Sequence, residues 1–374
     1  MLPLLPYDIV ERIISFTNIG YICLTLWTVG RHLEYNDKKR LLYHRTSPIN
    51  YLSRFTDKPL YLLQIMRRTK TVLSGLRAAD YFSPGIATDT SSWDFYCPNI
   101  RDNVAELLST LECIGYKFII SCKDISYNSY SSSRSYVVNG QKQNIKVRVI
   151  ISNDSTMITT ILKHHCSITQ CIISGYCAIS LYHILWKNSK GVYWPSNIMK
   201  RNDYYSSFTI LNTQNVENLQ NIHDISDVRK MLSKSIINEY KNYNIELNNY
   251  SNYYNIFKDL PSNDSKTSTL RSIYDSKSFV LNFKFKGLVS SNWKDYLLCF
   301  IWKQDSEGIT IRGDINTLKD SDNLPIYSTI NNISTVKSKR KEKLDELIIS
   351  SETKNWIGSN IELSRYKFIN DYPF

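Results

Sequence analysis

A glycine wedged between an apolar triplet and an aromatic run with one acid constrains this chain more than any other feature. Thr71-Val72-Leu73 reads as a short strand and Ser74-Gly75 as a turn, glycine being the residue that tolerates a left-handed backbone at no steric cost. The residues after Gly75 read as a short helix, and Trp93-Asp94-Phe95-Tyr96-Cys97 as the next strand. Residues two apart on a strand face the same side, so Ser92 and Asp94 share one face beside the turn. A strand, a glycine turn, a helix and a returning strand already imply a small sheet with helices laid against it.

Chemistry attaches to that turn. It resembles the phosphate-handling turn of nucleotidyltransferases, where acids alternate as Asp-x-Asp so that two carboxylates can share a pair of divalent ions. Here Asp94 stands alone and the partner position holds Ser92, a neutral hydroxyl. A third acid, which would activate the attacking hydroxyl, belongs on a later strand within Lys146-Val147-Arg148-Val149-Ile150, and that run contains none. A lysine or arginine at that position meets a phosphate but repels a metal ion. One carboxylate makes a poor two-metal site.

The chain around this unit has three parts. Residues 1–66 read as helical: Leu5-Pro6-Tyr7-Asp8 starts a helix with proline at its head and acid in its first turn, and Leu5, Ile9 and Ile13 fall on one stripe. A second helix is expected from about Ile22 to Leu33. Residues 67–190 form the α/β unit. Its next helix is expected to be capped by Asn99, with Ile100, Val104, Leu107, Leu108 and Leu111 as its stripe and Gly115 as its stop. Residues 116–122 read as an internal strand and residues 126–133 as a polar loop. Residues 135–138 and 145–152 form a hairpin around Asn139-Gly140. Residues 155–187 read as helical.

Residues 191–374 form a C-terminal extension. A helix is expected from Ser226 to about Tyr240, an Asn/Tyr-rich surface insertion over 242–254, and a half-buried strand with Leu281, Phe283 and Phe285 on one face. Further strands are expected over residues 296–302 and 309–312. A stacking platform for single-stranded nucleic acid is the alternative for 242–254. The fold class that results is α+β, a helical region followed by a mixed-sheet core and a β-containing tail.

Composition narrows the partners. With 46 basic against 34 acidic residues the formal charge is +12, which favours anionic partners such as nucleic acid, nucleotide or an acidic protein face, although the basic residues are scattered. The 8 cysteines show no CxxC pair, which suits buried free thiols in a reducing compartment and points to the cytoplasm or nucleus. The N-terminus lacks the basic start of a secretory signal. Residues 168–186 carry no Asp, Glu, Lys or Arg, long enough to weigh a membrane span; Gln170, Ser174, Ser180 and His183 favour a buried core helix. His164-His165-Cys166 with Cys171 lacks the paired spacing of a zinc site. The run Lys337-Ser338-Lys339-Arg340-Lys341-Glu342-Lys343 reads as a solvated helix start or a basic patch, and residues 66–70 as a weak phosphate attractor beside the turn.

Two resemblances follow from these residues. Leu5-Pro6, the acid Asp8 and the paired aliphatics Ile13-Ile14 resemble an F-box over about forty residues. That likeness implies that Leu5, Pro6, Ile9, Ile13 and Ile14 face a Skp1-type adaptor of a ubiquitin ligase; an ordinary amphipathic helix packed on the next domain is the alternative. Ser74-Gly75-Leu76-Arg77-Ala78 and Ser91-Ser92-Trp93-Asp94-Phe95-Tyr96, together with residues 164–182, resemble fungal proteins that join an F-box-like region to a nucleotidyltransferase-like domain. The likeness covers about half the chain. It implies a phosphate or nucleotide pocket at Ser74, Gly75, Arg77, Ser92 and Arg148, with Asp94 as catalytic and metal-binding residue if the site works. Leu76 and Ser92 depart from the pattern of a hydroxyl and an acid. The expectation is therefore a non-catalytic binding protein, a pseudoenzyme needing no cofactor. The alternative is a working, Mg2+-dependent nucleotidyltransferase drawing further carboxylates from Asp80 or Asp89.

Overall fold

The computed structural model describes residues 4–119, 124–125, 135–152, 157–183, 185 and 190–194, and beyond these only the stretches 237–238, 240–242, 245–249, 270–271, 277–283, 300–305 and 308–314. The class is α+β, helices with a mixed sheet.

Five helices come first: α1 (Tyr7–Phe16), α2 (Ile22–Thr28), α3 (Tyr35–Thr46), α4 (Pro48–Leu52) and α5 (Pro59–Arg68). Local chemistry sets their ends. Pro6 occupies the N-cap of α1, with Asp8 in its first turn. Pro48 and Pro59 open α4 and α5, and the Ser47 side chain accepts a bond from the Asn50 amide. α2 stops at Thr28, short of the expected Leu33.

The sheet then assembles around the glycine turn. β1 (Val72–Ser74) runs into α6 (Gly75–Phe82), and β2 (Trp93–Pro98) returns antiparallel to β1. α7 (Arg101–Cys113) follows, closed by Gly115 at φ +97°. Its N-cap is Ile100; Asn99 instead uses its amide to bond the Ser152 carbonyl. β3 (Lys117–Ile119), β4 (Asp124–Ile125), β5 (Ser135–Lys142) and β6 (Ile145–Ser152) complete one half, with β6 lying parallel to β2. After α8 (Met157–Leu162), β7 (Cys171–Ile173) and β8 (Cys177–Ser180) complete the other. The spatial order is β12-β8-β7-β1-β2-β6-β5-β3, with β4 also paired to β5 and β12 being Phe279–Asn282. β9 (Lys190–Tyr193) pairs in parallel with β10 (Glu246–Asn249), and β11 (Leu270–Arg271), β13 (Phe300–Asp305) and β14 (Gly308–Asp314) form a separate three-stranded sheet.

Alternation along β2 sorts the two faces. Trp93 and Phe95 point to the helices, where Phe55 lies 4.9 Å from the Trp93 ring and stacks on Tyr116 at 4.6 Å. Asp94 and Tyr96 point to the opposite side, on which Met157, Ile158, Ile161 and Leu162 of α8 are buried. One apolar cluster runs from Val10 and Ile14 of α1 through Leu73, Trp93 and Val149 to Leu281 of β12.

Several expectations are corrected. Residues 168–186 hold the β7–β8 pair rather than a helix; their unbroken apolar run reflects strands covered on both faces, which periodicity alone does not separate from a buried helix. No helix among the described residues is long and apolar enough to cross a membrane. Asn139-Gly140 sits inside β5, and the hairpin turns at residues 143–144 with Gln143 at φ 53°. Gly140 is there for closeness: a Cβ would come 2.6 Å from the Phe118 ring and 2.8 Å from Val147 Cγ1. β3 lies at the end of the sheet order, not inside it. Within the proposed insertion, residues 246–249 form β10 and Ile245 and Leu247 are buried. The strand carrying Leu281 joins the main sheet instead of a separate tail. Of the helix expected from Ser226, only residues 237–238 and 240–241 are described, and they are helical. The loop 126–133, Phe285 and the basic run 337–343 lie outside the described residues.

Candidate functional site

Backbone register builds the site. Ser74 stands opposite Asp94 in the antiparallel pair of β1 and β2, and Asp94 stands opposite Arg148 in the parallel pair of β2 and β6. Arg148 is in turn paired with Asn139 of β5, and Ser74 with Ile172 of β7. One row of the sheet therefore reads Ile172, Ser74, Asp94, Arg148, Asn139. Gly75 follows Ser74 with φ +77°, a backbone that disfavours any side chain, and a Cβ there would sit 3.3 Å from Asp94 Oδ2. The chain thus turns directly beside the carboxylate.

Both oxygens of Asp94 are already engaged. Ser92 Oγ donates to Oδ1 at 2.7 Å, Arg148 Nε donates to Oδ1 at 2.7 Å, and the Arg148 Nη2 group donates to Oδ2. This is the two-pronged fit of guanidinium to carboxylate. The Asp94 and Arg148 side chains are only 9% and 13% exposed, so the pair is largely withdrawn from water. A metal ion at Asp94 would have to displace an arginine held by two bonds. Ser74 Oγ is spent on the Cys171 carbonyl at 2.6 Å and does not reach into the site.

Among the described residues, further carboxylates do not converge on Asp94. Among the described residues no group of three His, Cys, Asp or Glu side chains could hold a metal ion. Asp80 is buried and committed elsewhere, accepting from Arg54 at 2.8 Å, from Tyr51 Oη at 3.2 Å, and from the Gly85 and Ala87 amides at 2.8 and 3.3 Å. Asp89 is exposed on the loop before β2, and its carbonyl accepts from Arg77. Of the six pocket residues read from the sequence, Ser92, Asp94 and Arg148 meet through their side chains, Ser74 and Gly75 lie beside them through the backbone alone, and Arg77 is elsewhere. Its guanidinium lies over the Trp93 ring, 5.2 Å from the centroid and on the helix side of the sheet, while donating to the Ser91 and Asp89 carbonyls. Burial, the largest influence on Arg77, lowers its pKa from the usual arginine range.

Neighbouring motifs resolve into structure. Arg67 donates to the Gly175 carbonyl and covers Tyr176, and Arg68 pairs with Glu106, so these cations serve the opposite end of β1 from Gly75. His164 lies in a turn, not a helix; its Nδ1 is 2.9 Å from the Thr169 carbonyl, and its Nε2 shares a 2.9 Å bond with Tyr96 Oη. Since a carbonyl only accepts, Nδ1 carries the proton.

A second candidate surface lies on α1 and α2. Ile14 is in the core at 1% exposed, which removes it from the set expected to face a partner; Leu5 and Ile13 are half-buried and Pro6 is exposed. Outward apolar area comes instead from Ile9 at 40%, Phe16 at 68%, Leu24 at 60% and Trp27 at 78% exposed. Ile9, Ile13 and Phe16 recur at helical spacing, while Val10 and Ile14 form the inner stripe. Phe16, Leu24 and Trp27 were missed in the sequence; on α1 two apolar stripes on one short helix gave no means of telling inner from outer. Also missed was Arg45, buried in α3, which donates to the carbonyls of Thr17, Tyr81 and Phe82.

Compared with models of known protein families and with curated proteins, the chain matches none.

Proposed function

We propose that this chain is an intracellular, non-catalytic binding protein, acting in the cytoplasm or nucleus. On this reading it is an F-box-type ubiquitin-ligase component whose core is a degenerate nucleotidyltransferase-like domain. The observation that carries the reading is the closed Asp94–Arg148 pair. Nucleotidyl transfer needs carboxylates free to clamp two ions, and here one carboxylate is saturated by a guanidinium and a serine hydroxyl. Ser92 and Arg148 hold the two places where further acids would be needed.

Recruitment is assigned to the outer face of α1 and α2. Ile9, Phe16, Leu24 and Trp27 expose aromatic and aliphatic side chains of the kind that suit the apolar centre of a protein interface. A Skp1-type adaptor is the partner that the Leu5-Pro6 start and the helical spacing support. Buried thiols fit a reducing compartment, and Cys97, Cys171 and Cys177 are all buried and free.

Two measurements test this. Capture of a Skp1-type adaptor by the full chain is expected at micromolar concentration and is expected to fall at least tenfold in Ile9→Asp; no capture by the wild type removes the recruiting role. Incubation with Mg2+ and labelled nucleoside triphosphates is expected to give no transfer. Transfer that Asp94→Ala abolishes would establish the enzyme instead.

A further inference from the structure

We propose that the outer face of α1 and α2 is covered by a segment of this same chain, residues 344–352, which docks there as an amphipathic helix and competes with the recruited partner. The inference rests on the reading of that face as a recruiting surface. Ile9 and Phe16 stand on one stripe of α1 with Arg12 between them, and on α2 Leu24 and Trp27 lie three apart with Arg31 just beyond the helix. Both arginines are exposed, and among the described residues neither is in an ion pair. Lys38 donates to the Arg31 carbonyl at 3.1 Å and brings another cation to that end. Asp8, at the first turn, is the exposed acid of α1. The face therefore suits an apolar occupant that carries acids.

Residues 344–352 lie outside the described residues, and their sequence has that chemistry. Reading Leu-Asp-Glu-Leu-Ile-Ile-Ser-Ser-Glu, they hold three acids and no base in a chain of net charge +12. At helical spacing Leu344, Leu347 and Ile348 share a stripe, and Asp345 and Glu352, seven apart, flank one edge of it. Charge separates this segment from a second amphipathic stretch outside the described residues. Over 226–236 the apolar Val228, Met231, Leu232 and Ile236 come with Arg229, Lys230 and Lys234 against Asp227, so Arg12 and Arg31 repel it. The reach is sufficient: the 29 residues between Asp314 and Leu344 span up to about 100 Å, against a radius of gyration of about 20 Å for a domain of this size. A tethered segment is present at about millimolar effective concentration. Docking at a dissociation constant of about 0.1 mM then weakens a competing partner about tenfold.

The test uses the full chain as wild type, Leu347→Asp/Ile348→Asp, Arg12→Glu/Arg31→Glu, Asp345→Arg/Glu352→Arg, and the charge exchange that combines the last two. Oxidation of Phe16 and Trp27 by hydroxyl radicals, read by mass spectrometry, reports whether the face is covered. The dissociation constant of a Skp1-type adaptor reports the competition. Relative to wild type, Leu347→Asp/Ile348→Asp is expected to oxidise at Trp27 roughly threefold faster or more and to bind the adaptor about tenfold tighter. Each charge reversal alone is expected to expose Trp27, and the charge exchange to restore its protection. The proposal fails if Trp27 is oxidised at the same rate in wild type and Leu347→Asp/Ile348→Asp, or if the charge exchange protects no better than either reversal alone. Protection that fades on dilution assigns the face to a second copy of the chain and also overturns the proposal. Altered footprints in a chain that captures no adaptor uphold the docked segment and remove the recruiting role, whereas unaltered footprints in a chain that captures the adaptor remove the docked segment alone.

Discussion

Replacing Arg45 with methionine should loosen the N-terminal helices from the sheet. Arg45 reaches from α3 to the Thr17 carbonyl at 3.1 Å, just past the end of α1, and to the Tyr81 carbonyl at 2.9 Å and the Phe82 carbonyl at 3.4 Å, the last turn of α6. A cation there answers carbonyls that a helix C-terminus leaves without partners. Two of the bonds have good length, and hydrogen bonds from charged donors contribute roughly 1.5–3 kcal/mol each. Against them stands the cost of burying the guanidinium, which lowers the Arg45 pKa from its usual range mainly through desolvation. Methionine fills similar volume and removes that cost, but leaves buried carbonyls bare at about 1–3 kcal/mol apiece. The net expectation is a loss of about 2–4 kcal/mol. Urea unfolding of the full chain followed by tryptophan fluorescence measures it, since Trp93 and Trp194 are buried. A shift in midpoint at unchanged slope is the expected form. A loss below about 1 kcal/mol would refute the reasoning, because it would mean the three carbonyls are satisfied without the cation.

Two further outcomes concern packing and pH. Gly140→Ala places a methyl 2.6 Å from the Phe118 ring and 2.8 Å from Val147 Cγ1, so β3 must shift away from β5; a loss of about 1–3 kcal/mol by the same urea assay is expected, as for overpacking elsewhere. Burial pushes the Cys97 thiol up to about 11 and the Cys171 and Cys177 thiols up to about 12. These thiols stay neutral in the folded chain while the unfolded chain ionises from about pH 8.5 upward, so their contribution is full below that pH and is lost as pH rises toward 11–12. Native-state alkylation at pH 8 read by mass spectrometry should label the exposed Cys113 ahead of Cys97, Cys171 and Cys177, which it should spare.

The site was more legible than the fold around it. A strand, a glycine turn and a returning strand are local patterns, and their register follows once the strands pair, so Asp94, Ser92, Gly75 and Arg148 meet as the sequence suggests. Arg77 escaped because its position depends on Trp93 lying on the opposite face of β2, where the guanidinium finds a ring and two carbonyls. The strands β7 and β8 escaped for a different reason: Ile172 and Ile173 are both fully buried, one on each face, so no polar alternation marks them as strand. In α1 the stripe Leu5, Ile9, Ile13 and the stripe Val10, Ile14 are equally apolar, and only the packing of α3 and the sheet decides that the second goes inside. Gly140 looked like a turn because Asn-Gly favours hairpins; the pressure on it comes from Phe118, 22 residues earlier in the chain.

How the two candidate surfaces relate bears on what the protein can do. The inner stripe of α1 belongs to the same apolar cluster as the sheet, and Arg45 ties the end of that helix to the end of α6, the helix that opens at Gly75. A partner held on Ile9, Phe16, Leu24 and Trp27 is therefore held at a fixed angle to the sheet rather than on a swinging arm. Rigid placement is useful to a protein that presents one molecule to another and of little use to a site that must bind and release nucleotides, where closure and reopening do the work. On the proposed binding-protein reading, the Asp94–Arg148 pair fits the same logic. A sheet kept for its shape needs its buried carboxylate neutralised permanently, and an arginine supplied from the neighbouring strand does so at every metal concentration, whereas an ion held by one acid would come and go.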